Sequence, residues 1–174
     1  MTGPWVIIGC GKAKQAAPAP AGDLYTSAYI RCAVRWARSV TAPDRILILS
    51  AKHGLIRSTQ TIEPYDVSFT HPAPSGERPI TLDRLADQIT ELGLQGRVIT
   101  LAGVEYGRRL LAASRGEVRP FNPFRPVLKR LGLNAKQGYQ AQQFNRWHGC
   151  IPTATQLTPT TERQPREKPE PPPS

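Results

Sequence analysis

Three short apolar runs set the limits on what this chain can fold into: PWVIIGC (4–10), RILILS (45–50) and RVITLA (97–102). Each has the length of a strand and stays apolar on successive residues, so each reads as a strand buried on both faces. Amphipathic stretches separate them. Asp23 is placed to cap a helix running to about Val40, with Tyr29, Ala33, Trp36 and Val40 on one face and Arg31, Arg35 and Arg38 on the other. Leu82, Leu85, Ile89 and Leu92 mark a second helix capped by Thr81, and Gly103 begins the turn into a third near residues 105–114. Residues 117–120 read as a fourth, edge-like strand, and the glutamine-rich stretch 136–147 as a further helix. Alternating strands and helices predict an α/β fold: a single domain with a mostly parallel central sheet flanked by helices. In such sheets ligands bind beyond the carboxyl ends of the strands, which brings together loops 11–14, 51–54 and 103–106.

A length of 174 residues suits one domain with a real core. The basic α/β domain is expected over residues 1–150. From 151 to 174 the composition turns to Pro, Thr, Gln, Glu and Lys, which cannot bury enough surface to offset ordering entropy, so this tail is expected to be disordered. No apolar run of about 18 residues exists to span a membrane, and the N-terminus does not resemble a signal peptide. Cys10, Cys32 and Cys150 form no pairwise motif and read as free thiols of a cytoplasmic protein. Cysteine and histidine spacings give no metal site, and no cofactor signature occurs: the GxxxxGK[ST] loop for nucleotide triphosphates is missing. Net charge is +10. The tail is neutral, so the excess belongs to residues 1–150, and no acid interrupts 118–161 while Arg119, Arg125, Lys129, Arg130, Lys136 and Arg146 all fall there. That balance points to a polyanionic partner, with a merely solvated basic surface as the bland alternative.

The chemistry gathers at the predicted strand ends. Cys10 closes the first strand, either as a small core residue or as a group facing ligand, and Lys12 and Lys14 follow as phosphate-holding charges or as an amine nucleophile. Tyr25 can stack on a base, donate from its hydroxyl, or simply cover the core. Ser27 sits at the start of a helix whose free amides suit an anion. The densest segment is Ser50-Ala51-Lys52-His53-Gly54, where Gly54 permits a tight turn back to Leu55 and Ile56. Downstream, Glu63-Pro64-Tyr65-Asp66 supplies two carboxylates and a phenol. Either acid can activate water, and Lys52 or His53 can stabilise a leaving group. Arg31, Arg35 and Arg38, with no acid interleaved, form a plausible phosphate-facing stripe, and Lys129 and Arg130 extend the basic surface.

The ordered motifs IIGCGKAK, LYTSAYIR, ILILSAKHGLI and IEPYDVSF resemble a bacterial and phage domain family of unassigned function that is itself similar to the YaaA peroxide-stress proteins. The likeness is strong over residues 5–70 and continues loosely through VITLAGVEYGRRL. It implies DNA binding and protection from oxidative DNA damage. A weaker likeness links Cys10, Lys12 or Lys14, Tyr25 and Ser27 to the lysine-transferring domain of archaeosine synthase. The string His71-Pro72-Ala73-Pro74-Ser75 resembles the HPSP-type loop of uracil-DNA glycosylases. The water-activating motif of those enzymes has no counterpart here, so Asp66 or Glu63 would have to serve.

The expectation is therefore a cytoplasmic, metal- and cofactor-independent hydrolase that binds nucleic acid, DNA in preference to RNA. It would excise a damaged or hypermodified base as a DNA glycosylase, in repair or in antiviral defence. Its catalytic candidates are Asp66, Glu63, Lys52 and His53. Its base-binding candidates are Cys10, Tyr25, Ser27, Ser50 and Tyr65, with Lys12, Lys14, Arg31, Arg35, Arg38, Lys129 and Arg130 on the phosphates. A non-enzymatic YaaA-like DNA-binding protein, a base-modifying transferase and a small-molecule enzyme stay open beside it.

Overall fold

The computed structural model describes residues 3–124. The predicted helix at 136–147, the tail at 151–174, Cys150, Lys129 and Arg130 lie outside them. Strand β1 (Val6–Gly9) is followed by a two-residue strand β2 (Ala19–Pro20), a short helix α1 (Ala21–Leu24) and the long helix α2 (Ala28–Val40). Strands β3 (Ile46–Ser50), β4 (Gly54–Arg57) and β5 (Thr61–Ile62) come next, then α3 (Leu82–Glu91), β6 (Gly96–Leu101), α4 (Val104–Ala113) and β7 (Val118–Phe121).

Five strands form the central sheet in the order β4-β3-β1-β6-β7, and only the β3–β4 pair is antiparallel. The alternation of side chains along each strand explains the continuous apolar runs. Val6, Ile8, Ile46 and Ile48 pack toward α2, with Ile30, Ala33, Trp36 and Phe124. Ile7, Leu47 and Leu49 pack the other way, against Leu85 and Ile89 of α3 and Leu110 of α4. The sheet is thus the middle of three layers. The expected α/β fold with a mostly parallel sheet is the fold observed, and 117–120 falls, as expected, at the edge strand β7. Among the described residues no helix is long and apolar enough to cross a membrane.

One boundary differs from the sequence reading. Asp23 does not cap α2. It lies within α1, exposed, with its carboxylate 3.1 Å from the Arg38 guanidinium, and Ser27 caps α2 by accepting from the Ile30 amide at 3.3 Å. The reason is the path of the chain before α2. Ala19 and Pro20 pair with Ile62 and Thr61 in a small antiparallel ribbon, and Tyr25 bridges to Lys14. These pairings hold residue 25 extended, so the helix restarts only after Ser27. The arginine face of α2 is as expected: Arg31, Arg35 and Arg38 are exposed.

Strand connections diverge at the centre of the sheet. After β1 the chain crosses by α2 on one face to reach β3; after β6 it crosses by α4 on the other face to reach β7. Adjacent strands whose connections leave to opposite faces open a crevice at their carboxyl ends, the usual ligand site of such a sheet. Here the crevice lies between Gly9 and Leu101.

Candidate functional site

Cys10 and Tyr106 meet across that crevice, with Sγ and Oη 3.3 Å apart. Cys10 is fixed by its amide, which donates to the Leu49 carbonyl, and Tyr106 rides on the first turn of α4. Gly9 permits the approach: a β-carbon there would lie 2.9 Å from that of Ala102. On its far side Tyr106 packs edge-on against Phe69 at 5.1 Å. Arg109 covers the Phe69 ring at 4.3 Å while its Nε donates to Glu105 at 3.1 Å.

Beside this pair runs a chain of three hydroxyls. Ser50 Oγ, fully buried at the end of β3, accepts from the Lys52 amide at 3.1 Å and the His53 amide at 3.0 Å. It donates to Tyr65 Oη at 2.7 Å, and Tyr65 Oη lies 2.7 Å from Tyr25 Oη. Three hydroxyls carry three hydrogens, and the two bonds between them use two. One phenolic hydrogen, on Tyr25 or Tyr65, is left without an acceptor among the described residues. Burial raises the pKa values of Tyr25, Tyr65 and Tyr106 well above the ordinary phenol value, with the neighbouring Cys10 thiol adding to each. At neutral pH all three are proton donors in waiting.

Lys14 stands over the hydroxyl chain. Its Nζ is 4.3 Å from the Tyr65 ring centre and 5.6 Å from that of Tyr25, and it donates to the Lys12 carbonyl at 3.2 Å. Its backbone is held on both sides, by Gln15 N–H donating to Leu24 and Thr26 N–H donating to Ala13. Burial lowers the Lys14 pKa, opposed in part by the Cys10 thiol and the Asp66 carboxylate. Lys12, Lys14, Gln15, Ala16, Pro64, Tyr65 and Asp66 line an open cleft of about 490 Å³.

The remaining predicted residues divide sharply. Tyr25 is enclosed, at 0% exposure, so the stacking of a base is closed to it; it fills the core and keeps its hydroxyl bond to Tyr65. Ser27 serves as a helix cap. Lys52 is held by both carboxylate oxygens of Glu77, at 2.9 and 3.1 Å. His53 packs edge-on against Tyr65, and its buried Nε2 has no hydrogen-bond partner among the described residues. Burial lowers its pKa, and Lys52 lowers it further. Glu63 and Asp66 are both exposed beyond β5, and of the two Asp66 lines the cleft. His71 is exposed, with Nδ1 2.8 Å from Thr70 Oγ1, so its bonding stays inside its own loop. Arg31, Arg35 and Arg38 line a second, smaller depression of about 300 Å³ with Gly22, Asp23 and Val34.

Two groups of the site escaped the sequence reading. Tyr106 was expected only as part of a converging loop, and the three-residue offset from Gly103 to the inward face of α4 was the available signal. Gln88 was not foreseen. From α3 its amide donates to the His53 carbonyl and accepts from the Leu55 amide, both at 2.9 Å, across Gly54 at φ +74°. Nothing local in the sequence ties residue 88 to residue 54. Among the described residues no group of three or more His, Cys, Asp or Glu side chains is placed to hold a metal ion.

No curated protein and no solved structure matches this chain. A family model matches residues 6–142, which span every element of the sheet and all the groups of the crevice. The chain belongs to DUF6884, a family of unknown function.

Proposed function

We propose that the protein is a DNA-binding enzyme that acts on a base, a glycosylase that receives a flipped damaged or hypermodified base in the cleft beside Tyr65. The observation that carries this reading is the composition of that cleft. It combines two ammonium groups, an aromatic ring and one carboxylate at the carboxyl ends of the strands, and its volume falls in the range of small-molecule pockets. Phosphates flanking the base would be held by Lys12 and by the exposed arginines of α2. Tyr65 offers the aromatic surface, since Tyr25 is enclosed. Asp66 would activate water or stabilise the cationic sugar, and the spare phenolic hydrogen of the Tyr25–Tyr65 pair would meet the developing negative charge of the departing base. The motif resemblance to the YaaA proteins supports the same polymer.

The test incubates the full chain with duplexes carrying normal, oxidised and phage-type modified bases and scores abasic sites. Base release from one class of substrate is expected, falling by about 10²–10⁴-fold in Asp66→Asn while DNA affinity holds. Tight DNA binding with no release from any substrate would sink the catalytic reading and favour a binding protein.

A further inference from the structure

Lys14 is unlike the other lysine of the described strand-end loops that is drawn into the fold. Lys52 spends its charge on a bidentate contact with Glu77. Lys14 makes no ion pair among the described residues, although it is drawn into the cleft over two phenol rings and donates only to a backbone carbonyl. Its backbone is set by pairing on both sides, and the amine itself is placed by its bond to the Lys12 carbonyl and its seat over the Tyr65 and Tyr25 rings. An amine that is partly desolvated, fixed and free of a carboxylate partner is the form of lysine suited to attack a carbonyl carbon.

We propose that Lys14 is the nucleophile of this cleft and that its Nζ forms an imine with the open-chain C1′ aldehyde of an abasic deoxyribose. The inference rests on the base-excision reading above, because an abasic sugar is what base removal leaves behind. The neutral amine places its lone pair on C1′ and a C–N bond forms. The carbonyl π electrons move to oxygen, which takes a proton, and the nitrogen gives up one of its own. The resulting hydroxyl is protonated, leaves as water and yields the protonated imine. The spare hydrogen of the Tyr25–Tyr65 pair supplies the proton for the oxygen, Tyr65 lining the cleft, and Asp66 lines the same cleft to balance the imine charge. Burial also favours the neutral amine that the first step needs.

The experiment mixes the full wild-type chain with a duplex carrying one preformed abasic site, adds borohydride, and looks for a covalent adduct on a denaturing gel. Hydride addition at C1′ turns the imine into a stable secondary amine, which tandem mass spectrometry assigns to a lysine. The expected result is an adduct on Lys14 and its loss in Lys14→Arg, which keeps the charge but cannot form the imine. Absence of an adduct, an adduct on another lysine, or one that persists in Lys14→Arg overturns the proposal. Mapping on the wild-type chain decides the matter even where the variant folds poorly. Base release without trapping would leave excision standing and remove Lys14 from it. Trapping on Lys14 without base release would keep the amine chemistry and end the excision reading.

Discussion

Replacing Ser50 by alanine probes the hydroxyl chain at its root. Ser50 Oγ makes three hydrogen bonds in a fully enclosed position: two accepted from the Lys52 and His53 amides and one donated to Tyr65. At about 1 kcal/mol net for each, the loss comes to about 3 kcal/mol, since alanine offers the two amides and the phenol nothing in return. With a urea dependence of about 1–3 kcal/mol per molar, the unfolding midpoint of Ser50→Ala should fall by about 1.5 M at the middle of that range, with its slope unchanged. Tyr65→Phe removes only the phenol end. In a double-mutant cycle Ser50→Ala and Tyr65→Phe should be coupled by about 0.5–3 kcal/mol, because both act on the same 2.7 Å bond. A midpoint shift below about 0.3 M, or strictly additive effects, would mean that the turn holds itself without Ser50 and that the network is incidental.

Two further outcomes follow from the charges. His53 has a lowered folded pKa, so below the ordinary imidazole value of 6.5 the unfolded chain binds a proton that the folded chain resists. Its contribution is intact above pH 6.5 and is lost as pH falls toward the folded value; His53→Gln should flatten the midpoint-versus-pH curve in that acidic window, and an unchanged curve would refute the assignment. Replacing Arg31, Arg35 and Arg38 together by glutamine should weaken DNA binding and reduce the slope of log K against log salt by up to about 2.7, that is about 0.9 for each phosphate no longer neutralised. Arg38 shares its charge with Asp23, so its part of that change should be the smallest when the three are tested singly by salt-dependent gel shift.

Much of this architecture was readable from residues because burial on both faces of a parallel strand leaves a local mark. Val6-Ile7-Ile8 and Ile46-Leu47-Ile48-Leu49 are apolar throughout because alternate residues serve different layers. The strand-end rule then brought Cys10, Lys14, Ser50 and Tyr106 to one region. What the residues could not disclose was set by contacts distant in sequence. Tyr25 was open between stacking on a base, donating from its hydroxyl and covering the core, and the ribbon between Ala19–Pro20 and Thr61–Ile62 and the bridge to Lys14 accompany its enclosure in the core. Asp23 looked like a cap for the same reason: the local signal was sound, and pairing of the preceding backbone moved the helix start to Ser27. Lys52 gave no sign that Glu77, twenty-five positions on, would claim its charge.

The Gln88 clamp bears on how the sheet ends. β4 is an edge strand, and in an antiparallel pair every second residue turns its amide and carbonyl away from its partner. Ser58 N–H reaches back to Ile46 in β3, whereas Leu55 N–H donates to Gln88, and His53 C=O accepts from it. Ala51 C=O is likewise taken, by the Ile80 amide. A side-chain amide and a loop therefore stand in for the next strand at the end of β4 nearest the site. An open edge there would invite another chain to add itself to the sheet. With Gln88 and Ile80 in place, the molecule satisfies its own backbone at that end of the sheet and offers no free ladder there for another strand.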